Sequence, residues 1–323
     1  MTSDLIAQLE AAETDEERQW LVLQFNLNSL APSLREAVWP AAIPHWFDKK
    51  FLSALTVNSE DDSVCKKLTK LSFVEPFPGR GYNIHERTRA LLLKHLWQEN
   101  RKLYRTLSKR ALEYCKRQDH SDTAWTIETI YHLLIAEPNE GADQLQNTGW
   151  TWHNSPNFAY DKVEAMAKVA REHADAGRLN ERCLGWTLFF EALLDIDYSR
   201  YKSAKSKLLK IKISSDIDRY LEANCIKALG DVHLRLAEYE KARSRYEDAL
   251  PLYKDIGARL GEMNCILGLA DLDRKNDNWK EAEEKYQKAL NYYQSIGITL
   301  NIVLTLQKLG HTAKGTKDLD KAK

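Results

Sequence analysis

The feature that most constrains this chain is a 40-residue unit written twice in its last hundred residues and begun a third time. Asn224, Cys225 and Ile226 stand 40 residues before Asn264, Cys265 and Ile266. At the same offset Gly230 meets Ala270, Asp231 meets Asp271 and Tyr239 meets Trp279. Ala242 and Tyr246 meet Ala282 and Tyr286, Ala249-Leu250 meets Ala289-Leu290, Tyr253 meets Tyr293, and Gly257 meets Gly297. One more step reaches Gly310 and then Ala322. Self-similarity at such a period means stacked supersecondary units, none of which can bury its apolar face alone.

Each unit reads as a helical hairpin. Ile226, Leu229, Val232, His233 and Leu236 recur at three- and four-residue steps and so share one helical face. Residues 237–240 form the turn, residues 241–256 a second helix, and Gly257 the left-handed residue that closes it. Small residues (Gly230, Ala242, Ala249) stand where helices approach closely, and Tyr246 and Tyr286 fill the gaps. Ile226, Leu229-Gly230, His233, Ala242, Tyr246 and Ala249 follow in order the pattern of the tetratricopeptide repeat (TPR), which this segment resembles. The usual late proline is absent and the period exceeds the commonest one, as in long-helix variants. A degenerate copy, with Tyr201, Ala204 and Leu208 at the spacing of Tyr239, Ala242 and Tyr246, places the start of the superhelix near residue 180.

The chain has 47 basic and 47 acidic residues, so no global field directs it to nucleic acid or a membrane. It has no apolar run long enough to span a bilayer, and its first residues do not begin a secretion signal. Its five cysteines lack framework spacing, and Cys225 and Cys265 occupy equivalent helical positions, as buried small residues would. A reducing, cytoplasmic setting is expected.

Residues 1–31 predict two short acidic helices, the second capped by Thr14 or Asp15. Residues 32–100 read as a separate module. Helices over 33–46 (interrupted near Pro40 and Pro44), 49–55 and 63–71 precede two β-prone runs around Pro78-Gly79-Arg80-Gly81. Asp61 and Asp62 favour the start of the third helix. A further helix opens at Glu86, and this order gives a winged-helix domain. Residues 43–48, 71–75 and 83–89 resemble the winged helix of STAND-type signalling ATPases. There it lies between the nucleotide-binding domain and a repeat sensor. The resemblance implies a nucleotide-phosphate contact for His85, yet no G-x-x-x-x-G-K-[ST] loop is present, so the nucleotide-binding domain is missing.

A winged helix raises DNA binding as a second reading. Its recognition helix would carry Lys66, Lys67 and Lys70, with Arg80 at the wing tip, and residues 80–117 hold eleven Lys/Arg against three Glu. Residues 101–179 continue as a helical linker with degenerate repeats, broken at Pro138-Asn139-Glu140-Gly141. Trp150, Trp152, His153 and Asn154 read as an aromatic loop over residues 149–156, which plugs a junction or forms a ligand patch. A site in that loop would make the chain an accessory enzyme subunit, the third reading.

No catalytic constellation is present: H-E-x-x-H, C-x-x-C and G-x-S-x-G are all missing. Glu128 and His132, one turn apart, have no third partner in sequence and predict an intrahelical contact, not a metal site. No cofactor, metal or enzymatic activity is expected. TPR hairpins stack with their first helices lining a concave surface. That face carries Asn224, Lys227, Asp231, Leu234 and Arg235, then Asn264, Leu267, Asp271 and Lys275, then Gln307, His311 and Lys314. A groove-facing Asn can pair with both the N–H and C=O of a bound peptide.

The fold expected is mainly α, a small winged-helix domain with a short β-hairpin followed by an α-α superhelix over residues 180–323. The hairpins fall at about 181–219, 221–260 and 261–300, with a partial unit over 301–323. Asp320-Lys321-Ala322-Lys323 matches Glu240-Lys241-Ala242-Arg243, so the last outer helix is expected to begin there. Leu300, Ile302, Leu304, Leu306 and Leu309 would then need cover from a partner, a second copy or further residues. A cytoplasmic adaptor or sensor follows, which binds a protein or peptide partner in the groove. That partner would be an effector enzyme or a second copy of the chain.

Overall fold

The computed structural model describes residues 2–56, 62–154, 158–212 and 218–322. Among these lie seventeen helices and one two-stranded antiparallel sheet. No described helix is long and apolar enough to cross a membrane. The chain divides into two compact units, Met1–Thr151 with Lys168–Leu179, and Trp152–Ala167 with Asn180–Lys323.

The first unit opens with α1 (Thr2–Ala11) and α2 (Asp15–Ser29). Thr14 caps α2 in a reciprocal box, its hydroxyl accepting from Glu17 N–H while the Glu17 carboxylate accepts from Thr14 N–H. Next come α3 (Pro32–Ala42), α4 (Lys49–Leu55), α5 (Asp62–Leu68), β1 (Val74–Phe77), β2 (Gly81–Ile84) and α6 (Glu86–Glu99). Pro40 lies inside α3, whose cap at Ile43 donates to the Pro40 carbonyl, and the helix ends before Pro44. Asp61 lies outside the described residues.

The hairpin is anchored rather than free. Phe47 and Tyr82 exchange backbone hydrogen bonds of 2.7 and 2.9 Å. Gly81 has φ +101°, and a Cβ there would stand 2.5 Å from the Phe47 carbonyl oxygen, so this contact requires glycine. Phe47, Phe51, Leu55 and Leu92 are buried together in the apolar core of this unit.

The unit continues with α7 (Arg101–Cys115), α8 (Thr123–Ala136), α9 (Pro138–His153) and the last turns of α10 (Tyr160–Asp175). Two expectations are corrected here. Pro138 does not begin a long break; it opens α9 at a position whose N–H needs no helical partner. Gly141 follows because a Cβ would meet the Leu134 backbone of α8 at 2.8 Å. Gly149, Trp150, Thr151, Trp152 and His153 are the end of α9, not a loop. Ser155 and Pro156 lie outside the described residues.

The second unit carries the repeats: α11 (Glu181–Asp197), α12 (Tyr201–Lys210), α13 (Arg219–Arg235), α14 (Tyr239–Asp255), α15 (Arg259–Lys275), α16 (Trp279–Ile296) and α17 (Thr299–Ala322). The architecture is a helical-repeat solenoid. One turn recurs within each hairpin. Ser199, Ala237 and Asp277 take positive φ (59°, 57°, 59°). The following N–H reaches back in each case, Arg200 to Asp195 O, Glu238 to His233 O and Asn278 to Asp273 O. Between hairpins Gly257 and Gly297 do the same with φ 69° and 72°.

Tyr246, wholly buried, sits between two such layers. A Cβ on Gly230 or on Gly268 would approach its ring to 2.8 or 2.5 Å. Cys225 and Cys265 are buried free thiols, and burial pushes the Cys265 thiol up to about 12. A third correction concerns α17, which runs straight through Lys317, forty residues after Asp277. No turn forms there, and no outer helix starts at Asp320.

Candidate functional site

The first helices α13, α15 and α17 place the expected groove residues along one stripe, and the structure divides those residues into two groups. The repeated Asn and Asp belong to the hairpins themselves. Asn224 is 7% exposed. Its Oδ1 accepts from the Tyr253 hydroxyl at 3.1 Å, and its Nδ2 donates to the Tyr220 carbonyl at 2.6 Å. Asn264 accepts from Tyr293 at 2.8 Å in the same way. Asp231 accepts from Tyr246 at 2.9 Å and Asp271 from Tyr286 at 2.6 Å.

α13 and α15 thus each offer two acceptors to two tyrosines of the helix that follows. Burial and the neighbouring carboxylates raise the Tyr246 and Tyr286 phenols, which stay protonated as donors. A buried hydroxyl without an acceptor is costly, and this explains why Asn and Asp recur every 40 residues while nearby surface positions drift. The expectation that Asn224 pairs with a peptide backbone is corrected on this ground: its amide is already used.

The second group is half-buried or exposed. Lys227 is half-buried and pairs with Asp231 at 2.7 Å, and Lys308 reaches Asp271 at 2.6 Å. Leu267 is half-buried and packs beside Met263 and Ala270. Arg235, Lys275, Gln307, His311 and Lys314 are exposed, and among the described residues no hydrogen bond or ion pair occupies Arg235 or Lys275. These two basic side chains sit at equivalent positions, 40 residues apart.

The first unit holds a polar cluster that sequence reading missed. The carbonyls at the end of α3 and just after it have no helical donors because the helix stops there, and Arg89 of α6 takes them. Its Nε donates to Ala42 O and Pro44 O (3.0 and 3.2 Å) and its Nη2 to Ile43 O and the Tyr131 hydroxyl (3.1 and 2.9 Å). Nη1 donates to Glu172 at 3.0 Å.

His45, in the loop after α3, bridges two carboxylates. Its Nδ1 lies 2.7 Å from Glu128 and its Nε2 3.0 Å from Glu172, while its backbone N–H donates to Glu128 at 3.0 Å. Burial opposes a charge on His45, but the Glu128 carboxylate outweighs it and the pKa is raised, so both ring nitrogens donate. Burial works against the Glu172 anion as well, yet His45 and Arg89 bring that carboxyl down to about 2. Two cations therefore face two anions in a closed network.

His132 completes the cluster from the same helix as Glu128. Its Nε2 lies 3.0 Å from Glu128 Oε1, too poorly aligned for a hydrogen bond, and burial keeps the ring neutral by lowering its pKa. His173 stacks on Tyr131 at 4.0 Å and its Nε2 donates to the Tyr131 carbonyl at 3.0 Å. The absence of a third partner for Glu128 and His132 was the sequence expectation, and it is corrected: His45 supplies one from 83 residues away. Among the described residues no group of three His, Cys, Asp or Glu side chains is arranged to hold a metal ion. The signal in sequence was a charged residue on the apolar face of α8, which cannot be buried without a partner.

Lys66, Lys67 and Lys70 are exposed on and just after the seven-residue α5. Arg80 is corrected: it does not project from the hairpin tip but pairs with Asp122 and lies 4.6 Å over the Trp46 ring. His85 stands exposed at the N-cap of α6.

No family model matches the chain, and no curated protein matches it. Among solved structures it is similar to BtubC (BKLC) from P. vanneervenii, at 17% identity and a TM-score of 0.44 over 68% of this chain and 85% of that one. It is also similar to the STAND protein with a tetratricopeptide repeat sensor, PH0952, from Pyrococcus horikoshii, at 15% identity and a TM-score of 0.37. That match covers 94% of this chain and 59% of the other, so the chain spans about three-fifths of that protein. Neither likeness is close enough to transfer a function.

Proposed function

We propose that this protein is a non-catalytic adaptor that holds an acidic polypeptide segment against the first-helix side of its repeats. One observation carries the reading: Arg235 and Lys275 recur at equivalent positions, exposed and without an internal partner, beside acceptors that the hairpins use for themselves. Repeated basic side chains on adjacent first helices form a ladder that can meet carboxylates along an extended chain.

The test is fluorescence anisotropy with labelled extended peptides, one rich in Glu and Asp and one matched but neutral. Wild type is expected to retain the acidic peptide at low salt and lose it as salt rises. Arg235→Glu combined with Lys275→Glu should abolish the difference between the peptides. Equal binding of both peptides, or an unchanged preference in the double variant, would remove the proposal.

A further inference from the structure

Between α2, α6 and the end of α10, all within the first unit, lies an open cavity of about 750 Å³. Small-molecule sites usually measure roughly 300–1,000 Å³. The apolar wall comes from α6, where Leu91 and Leu93 are buried and Trp97 is half-buried. Four acids and four bases also line it, and most of them cancel. Lys94 pairs with Glu16, Arg89 with Glu172, and Asp175 with Arg171 at 3.6 Å. Glu86, Arg87 and Arg178 remain, and among the described residues none of the three has an ion pair. Two cations therefore stand against one acid.

The local fold aims Arg178. Gly177 takes φ +62° after α10, and the Arg178 N–H donates back to the His173 carbonyl at 2.9 Å. The chain turns there, and the half-buried guanidinium lies 5.1 Å over the Tyr104 ring, with Nη1 donating to the Tyr104 hydroxyl at 3.1 Å. Nε is buried and donates to no group among the described residues, and Nη2 makes no hydrogen bond there either. These two N–H groups run parallel along one edge of the guanidinium, the fork that grips two oxygens of one oxyanion. A buried charged donor left unpaired is costly, so the orphaned edge calls for an acceptor from outside the chain. Part of the basic excess over residues 80–117 stands close by. Trp97 meets Tyr104 edge to face at 5.3 Å, and Arg101 and Arg105, which have no ion pair among the described residues, lie 5.3 and 5.8 Å over the Trp97 ring. Three guanidinium groups without carboxylates thus surround two touching rings.

We propose that this cavity binds a small organic oxyanion, a carboxylate or a phosphate monoester carried on a flat apolar body. The free edge of Arg178 takes two of its oxygens, Arg87 adds a second positive charge, and the body lies along the α6 wall beside Trp97. The site belongs to the first unit alone and does not depend on the peptide reading of the repeats.

Isothermal titration calorimetry of the full chain tests this with three probes that share one ring system: a naphthalene carboxylate, the matching naphthyl phosphate and the uncharged naphthalenemethanol. One anion or both should bind about tenfold more tightly than the alcohol, and their order tells carboxylates from phosphate esters as the class held. Arg178→Lys keeps the charge but loses the two-pronged edge. It should weaken the preferred anion about tenfold and leave the alcohol unchanged. Arg87→Gln alters an exposed side chain with no internal ion pair, so the fold should be untouched while the preferred anion weakens about threefold. That second variant keeps the test decisive if Arg178→Lys unfolds. An alcohol that binds as tightly as the anions, no heat from either anion at millimolar concentration, or anion affinity unchanged in the folded variants would overturn the proposal.

Discussion

The Asn224–Tyr253 pair offers the most direct test of how the repeats hold together. Asn224→Ala removes the acceptor of a hydroxyl whose side chain is 1% exposed, across a 3.1 Å hydrogen bond. Stranding a buried hydroxyl costs about 1–3 kcal/mol. The better helix propensity of alanine returns roughly 0.5 kcal/mol. A net loss of about 1–2 kcal/mol is expected, which lowers the melting temperature by roughly 2–4 °C per kcal/mol. Tyr253→Phe alone removes the donor and should cost about 0.5–1.5 kcal/mol. The double variant should be less destabilised than the sum of the singles, by about 1 kcal/mol of coupling. Urea unfolding followed by circular dichroism and by fluorescence measures all three, provided the two transitions coincide. Additive single effects, or an Asn224→Ala protein within about 0.5 kcal/mol of wild type, would show that the amide is not structural. The side chain would then be released for ligand contact after all.

Three further outcomes follow from the same geometry. Arg89→Met strips donors from three carbonyls and leaves Glu172 facing only His45, so chemical unfolding should show a loss of about 3–5 kcal/mol. Gly268→Ala drives a Cβ to 2.5 Å from the buried Tyr246 ring, and the thermal midpoint should fall by an amount matching about 1–3 kcal/mol. Stability should also peak in pH. His132 and His173 have pKa values below 6.5, so the folded state resists their protonation and loses stability as pH falls below that value. The Glu172 contribution, present above about 4.5, is lost on the way down to about 2, though its partial exposure screens part of it. His45 acts in the other direction, since its raised pKa gives stability that is present below 6.5 and lost as pH rises through the folded value. Urea midpoints across pH check this, and His45→Gln should flatten the alkaline limb.

The repeats were legible because their constraints are local and copied. Tyr246, Ala249 and Gly257 announce themselves through identical neighbours forty residues on, and each forms the contact its spacing implies. The hairpin between Val74 and Ile84 was legible for a similar reason, since turn residues bracket two β-prone runs. The purpose of the recurrent Asn and Asp was not. Recurrence marks a constraint without saying whether it comes from a ligand or from a tyrosine fifteen or twenty-nine residues away. The network around Arg89 was hidden more deeply. Its members come from the end of α3, from α6, from α8 and from α10, and no periodicity connects residues that meet only after the chain has folded. α9 departs from the expected aromatic loop because Trp150, Trp152 and His153 continue the helix that Pro138 opens, and their composition carries no sign of that continuity. The case of α17 shows the limit of the register itself, as a copied spacing does not guarantee a copied turn.

The ring of Tyr246 needs bare backbone on two successive hairpins, at Gly230 and at Gly268. At the next junction the place of Gly268 is taken by Lys308, whose ammonium lies 5.9 Å over the Tyr286 ring. The two junctions are therefore different locks. Transposing the hairpins would push a lysine stem into the slot cut for the Tyr246 ring, and copying the first of them would set Ala228 there in place of Gly268. The order of the units is thereby written into the molecule.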